Sequence, residues 1–294
     1  MRLSSVLLLI WLNLTPGLAF AASLNTICLN TQLTILGTHA SGRIGICVSD
    51  GQKAASLNGG QRFPLYNLVE LPVAVAVLDA VDRGQIHLDD LVALQVDDHG
   101  ASGQAQAKLT DSKGSKSTTQ DLLVRMIADN DSTATDSLIT ALGGPPAVES
   151  VLIKKGIRGF NIDRNEGTPR SFSFQNHNTG TPIAVANLLQ WLVNGWLLSP
   201  RSSALLLETM GKTRAFPDRL KAGLPTGWLL AHKSGTGTTA KDGPDAASDV
   251  GILMAPDARS FVVAAVFISH SRATDQDRAT LIANVARAIG SCCQ

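Results

Sequence analysis

Glu70, Glu166 and the run Lys233-Ser234-Gly235 are of types that could do chemistry: carboxylates, an ammonium and a hydroxyl. A carboxylate held in a cleft can take a proton from water. A lysine in a strand-like run can line a pocket for an anion, with backbone N–H groups beside it as further donors. A nucleophile is harder to find. Asn67 precedes Glu70 by three residues, so the two share one face of a helical turn. A carboxamide is not a useful nucleophile, and no serine anywhere in the chain is followed by lysine three positions on. Metal chemistry is not expected. The four cysteines, Cys28, Cys47, Cys292 and Cys293, lack zinc spacing and have no histidine pair beside them. Asp97, Asp98 and His99 read as a polar turn, because adjacent residues rarely converge on one ion.

The elements that must position these groups change character along the chain. Residues 24–37 predict a helix, "RIGICVSD" alternates as a strand, and "GQKAASLNGGQRF" reads as a turn and a second strand. The period then lengthens. "NLVELPVAVAVLDAVDRG" is an apolar helix closed by Gly84. "TTQDLLVRMIADND", "STATDSLITALGG" and "PPAVESVLIKKG" predict three more helices, the last opened by prolines and closed by Gly156. The polar stretch "AKLTDSKGSKSTTQ", 107–120, reads as a mobile surface loop. "FNIDRNEGTPRSFSFQNHNTGTP" is rich in turn residues and too long for an idle connector. Two helices follow, then the strands "WLLAHKSGTGT", "SDVGILMAP" and "SFVVAAVFISHS", and a last helix, "DRATLIANVARAIG". Strands near both ends around a helical insert imply one antiparallel sheet built from both halves of an α+β chain.

Composition narrows the function classes. A hydrophobic content of 44% supports a sizeable core, and a formal net charge of +1 argues against a nucleic-acid partner. The first residues carry a positive start, an apolar core and the small-x-small triplet Ala19-Phe20-Ala21. That layout is a secretory signal, so the expected mature chain begins at Ala22 and is periplasmic or secreted, without a membrane anchor. Export makes disulfides possible, and four cysteines allow three pairings between which the sequence does not choose.

The order of these segments resembles the class A serine β-lactamases and their penicillin-binding relatives, over nearly all of the expected mature chain. "RFPLYNLVELPVAVAVLDAVDRGQIHLDD" is similar to the family's Ser-x-x-Lys region, and "MIADNDSTATDSLITALGGP" to its Ser-Asp-Asn region. "IDRNEGTP" is similar to its glutamate-bearing omega loop, "AHKSGTGT" to its Lys-Thr/Ser-Gly strand, and "SDVGILMAP" to the strand after that. The resemblance implies a five-stranded antiparallel sheet flanked by helices. An α/β lobe, 22–64 and 211–294, would carry an inserted helical lobe, 65–210. It also implies packing of the first helix on the last, hence a disulfide from Cys28 to Cys292 or Cys293, with Cys47 a buried thiol.

Residue by residue, the resemblance implies a damaged site. Asn67 and Glu70 stand where the nucleophilic serine and its lysine belong. Asn130, Asp131 and Ser132 replace the Ser-Asp-Asn triplet, so the shuttle hydroxyl is an amide and the orienting amide a hydroxyl, while Asp131 keeps a structural place. Glu166 matches the deacylating base, braced by Asp163 and Arg164, but Arg170 stands where the family keeps an asparagine. Lys233, Ser234 and Gly235 preserve the third motif, Thr236 and Asn67 offer oxyanion-hole N–H groups, and Arg219 matches an arginine that supports a ligand carboxylate. Losing the serine of a serine hydrolase costs on the order of 10⁶ in rate. The expected function is therefore a degenerate pseudoenzyme that keeps a cleft for a β-lactam or peptidoglycan-derived ligand, with no cofactor. The alternative is a β-lactam hydrolase in which Glu166 or Glu70 activates water directly. In a closed cleft Glu70 is expected beside Lys233, where opposite charges attract.

Overall fold

The computed structural model describes residues 24–95, 114–166, 178–237, 246–257 and 260–293. The expected leader, Asp97–His99 and Arg170 lie outside them. Five strands form an antiparallel sheet in the order β2-β1-β10-β9-β8. These are β1 Arg43–Ser49, β2 Ala54–Leu57, β8 Leu229–Gly237, β9 Ala246–Met254 and β10 Phe261–Ser269. The sheet thus draws on both halves of the chain, as the terminal strands imply. Five shorter strands lie between: β3 Phe63–Pro64, β4 Leu91–Ala93, β5 Lys116–Thr118, β6 Phe160–Asn161 and β7 Thr179–Gly180.

Strand alternation builds a core on each side of the sheet. Val262, Ala264, Val266 and Ile268 of β10 pack beneath helices α1, Thr26–Thr38, and α8, Asp275–Cys292. Phe261, Val263, Ala265 and Phe267 join the opposite, larger core. That core includes α2, Glu70–Asp82, which is buried from Glu70 through Leu78. Around it stand α3 Thr119–Asp129, α4 Ser132–Ala141, α5 Pro145–Lys154, α6 Pro182–Val193 and α7 Pro200–Gly211.

Two expectations need correction. Helix α6 falls inside the stretch 65–210 but packs on β10 and β1, because its apolar residues Val185, Leu188 and Leu189 cover the sheet. In the polar stretch 107–120, Lys116–Thr118 is a strand paired with Leu91–Ala93. Thr118 then caps α3 by accepting the N–H of Asp121, so its polar side chain ends a strand and starts a helix.

Cys28 and Cys292 form a disulfide between α1 and α8, with Cα atoms 5.7 Å apart. This decides between the pairings that the sequence left open. Cys47 is a buried free thiol, pushed up to about 11 by desolvation, and Cys293 is free and half-buried. The bond spans 264 residues of sequence, so its loss enlarges the unfolded ensemble. Changing Cys28 and Cys292 together to serine is expected to remove about 2–4 kcal/mol of stability. Cys47→Ser should leave the loop closure untouched. Urea unfolding without reductant measures both; equal stability of the double variant and the parent would contradict a structural role for the bond.

Candidate active site

The site lies where the start of α2, the α3–α4 junction, the Glu166 loop and β8 converge. A 3₁₀ turn, Tyr66–Val69, leads directly into α2. It puts Asn67 and Glu70 on one turn face, and the Asn67 amide donates to Glu70 Oε1 at 3.2 Å. The same amide nitrogen donates to Glu166 Oε1 at 2.7 Å. Lys233, in the middle of β8, places Nζ 2.7 Å from Glu70 Oε2, and both side chains are fully buried. Lys233 Nζ also donates to the side-chain oxygen of Asn130. Glu166, Asn67, Glu70, Lys233 and Asn130 therefore form one continuous chain of polar contacts.

Local structure fixes each member. Asn130 ends α3 in the left-handed conformation, φ 56°, and its N–H bonds to Arg125 O. Asp131 caps α4 by accepting the N–H of Ala134 and pairs with the buried Arg125 at 2.6 Å. Ser132 is the first residue of α4. The Glu166 N–H donates to Asp136 Oδ1 at 2.7 Å. The main-chain N–H groups of Asp163 and Arg164 donate to Asn178 Oδ1, and the Asn178 amide returns a bond to Arg164 O. Neither Asp136 nor Asn178 was given a role from the sequence: Asp136 served only to align the second motif, and an asparagine within a turn-rich run carries no distinguishing spacing.

Electrostatics follow from burial. Desolvation pushes the Glu70 carboxyl up to about 7. The charge and hydrogen bond of Lys233 and the amide of Asn67 pull the other way, and Asp131 adds to the rise.

On the other side of β8, the groups expected to meet a ligand are tied to one another. Ser234 Oγ donates to Asp249 Oδ1 at 2.9 Å, and Asp249 also holds His232 Nδ1 at 2.9 Å and the Leu220 N–H at 3.1 Å. Arg219 is buried. It donates to Gly235 O at 2.8 Å, Ser248 O at 2.9 Å and Thr236 Oγ1 at 2.6 Å, with its guanidinium 3.8 Å from the centre of the Phe216 ring. Asp249 is a charged residue inside the apolar strand "SDVGILMAP"; that contrast was the available signal for it. Tyr66, φ 46°, lays its ring where a Cβ on Gly237 would meet it at 1.9 Å, so only glycine lets the ring lie against this strand.

Fold and site together define an α+β architecture of the class A β-lactamase type, an antiparallel sheet flanked by helices. The Beta-lactamase enzyme family model matches residues 29–291, and the chain belongs to that family. It is 30% identical over 252 residues to a beta-lactamase of Bacteroides uniformis, covering 84% of each chain. It is 25% identical over 293 residues to beta-lactamase VEB-1 of Pseudomonas aeruginosa, covering 98% of this chain and 97% of the relative. The crystal structure of a beta-lactamase from Chitinophaga pinensis DSM 2588 superimposes with a TM-score of 0.79 at 27% identity, over 88% of this chain and 97% of that one.

Proposed function

We propose that the chain is an exported, non-hydrolytic member of the β-lactamase family. The observation that carries this reading is the Asn67 amide seated between two carboxylates, bonded to Glu166 and Glu70 at once. In a serine enzyme this position supplies an attacking oxygen. Here it supplies a donor that satisfies the groups that would otherwise act as bases. The rival, direct water activation by Glu166 or Glu70, must work beside a donor that already occupies one oxygen of each carboxylate. Export is supported by the leader-like first residues and by a disulfide suited to an oxidising compartment. A ligand carboxylate, from a β-lactam or a peptidoglycan fragment, must compete with Glu70 for Lys233, so such ligands are expected to bind weakly.

The test is a chromogenic cephalosporin assay combined with intact mass after incubation with a penicillin. The expected result is hydrolysis at the buffer rate and no adduct. A stable penicilloyl adduct overturns the reading, and turnover without an adduct establishes the direct-water mechanism instead.

A further inference from the structure

An amine, a carboxamide and a carboxyl group meet at Lys233, Asn130 and Glu70. Nζ of Lys233 touches both the side-chain oxygen of Asn130 and Oε2 of Glu70. We propose that Lys233 and Asn130 become joined by an intramolecular isopeptide bond, with Glu70 carrying the protons. The proposal rests on the reading that this cleft does no hydrolysis, and it assigns the buried groups a chemistry of their own.

The reaction is an exchange of one amide for another, and it needs no oxidant or co-reactant. Glu70 takes a proton from the Lys233 ammonium, turning a buried ion pair into a neutral pair. The free amine attacks Cγ of Asn130, forming the N–C bond and moving the carbonyl electron pair onto oxygen. As the carbonyl re-forms, the bond from Cγ to Nδ2 breaks. Nδ2 takes the proton of Glu70 and leaves as ammonia. Glu70 recovers a proton from the new amide nitrogen and ends as an uncharged carboxylic acid.

Each participant is placed for its part. Lys233 and Glu70 are fully buried, which disfavours the charged forms and excludes water that would compete with the amine. Burial already pushes the Glu70 carboxyl up to about 7, so it can hold and release a proton near neutrality. The charged neighbours have partners of their own: Asp131 is engaged by Arg125, and Glu166 accepts the amide of Asn67 that also bonds Glu70. Asn130 is held by the end of α3, and Lys233 by its pairing with Val250 in β9, so the reacting groups are brought together before reaction. Asn130 is only half-buried, which leaves ammonia a route to solvent.

The experiment uses the full recombinant chain, reduced and alkylated, analysed by intact mass and by tryptic mapping under denaturing conditions. The expected mass is lower by one ammonia than that of the unmodified chain. The map should contain a branched peptide joining 126–154 to 222–241, uncut after Lys233. Asn130→Ala and Glu70→Gln should each restore the full mass and separate linear peptides. Because digestion follows denaturation, the parent alone decides whether the bond exists, even if a variant folds poorly. Linear peptides with cleavage after Lys233 in the parent overturn the proposal. So does ammonia loss confined to a linear 126–154 peptide, which marks cyclisation of Asn130 onto its own backbone. A branched peptide in Glu70→Gln overturns the assigned part of Glu70. A linear parent that fails to hydrolyse a cephalosporin sinks the cross-link alone; a branched parent that hydrolyses it sinks the premise.

Discussion

Asn67→Ser alone is expected to give almost no acylation by a penicillin, whereas Asn67→Ser with Glu70→Lys should give a detectable covalent adduct. The new hydroxyl in the single variant would face Glu70, a fully buried carboxyl that is already paired with Lys233. Proton removal there would break that pair, and a carboxylate beside the serine would repel an incoming ligand carboxylate. Glu70→Lys supplies an amine base and releases Lys233 from its counter-ion. Adding Asn130→Ser and Ser132→Asn should raise acylation further, by returning a shuttle hydroxyl and an orienting amide. It would also remove the carboxamide that touches Lys233 Nζ. A complete nucleophilic unit is worth on the order of 10⁶ in rate, or about 8 kcal/mol of transition-state stabilisation. Its parts act together, so the gains should be strongly non-additive. Deacylation should then depend on Glu166, whose N–H is already held by Asp136. Adduct formation followed by intact mass across the parent and the single, double and quadruple variants measures the series. A folded quadruple variant without an adduct would show that the cleft has diverged beyond these four positions.

The long elements were legible in the sequence because hydrophobic period is a backbone-level signal. The apolar run of α2 and the terminal strands β8 to β10 lie where their patterns imply. The short strands β3, β6 and β7 were not legible, since two-residue pairings leave no period to read. Within the site, residue identities marked where this chain departs from the motifs it resembles but not which contacts the departing residues make. Glu70 beside Lys233 was expected, but Asn67 bonded to Glu166, and Lys233 touching Asn130, are contacts between segments far apart in sequence. Their spacing carries no trace of the encounter. Arg219 shows the same limit. Its position resembled a ligand contact, yet its hydrogen bonds go to Gly235, Ser248 and Thr236, because a buried guanidinium must find acceptors inside the protein.

Lys233→Met is expected to destabilise the protein by about 3–5 kcal/mol at pH 8, and by clearly less at pH 5. The substitution leaves Glu70 fully buried without its counter-ion. Lys233 is also the main influence lowering the Glu70 pKa against desolvation, so its removal raises that value above the present value of about 7. The sign follows from proton binding. A carboxyl with a folded-state pKa above its ordinary value of 4.5 binds more protons folded than unfolded, so stability falls as pH rises. The fall should begin near 4.5 and continue past 7, and below that window protonated Glu70 is tolerated as an uncharged group. Removing both charges, as Lys233→Met with Glu70→Leu, should recover most of the pH-dependent loss, because an apolar pair of similar volume carries no desolvation cost. The comparison is made in an Asn130→Ala background, where no isopeptide bond forms and Lys233 keeps its ammonium beside Glu70. Urea unfolding of that background and of both variants within it, at pH 5 and pH 8, measures the effect. Equal destabilisation of Lys233→Met at both pH values would mean that Glu70 is not the group left stranded.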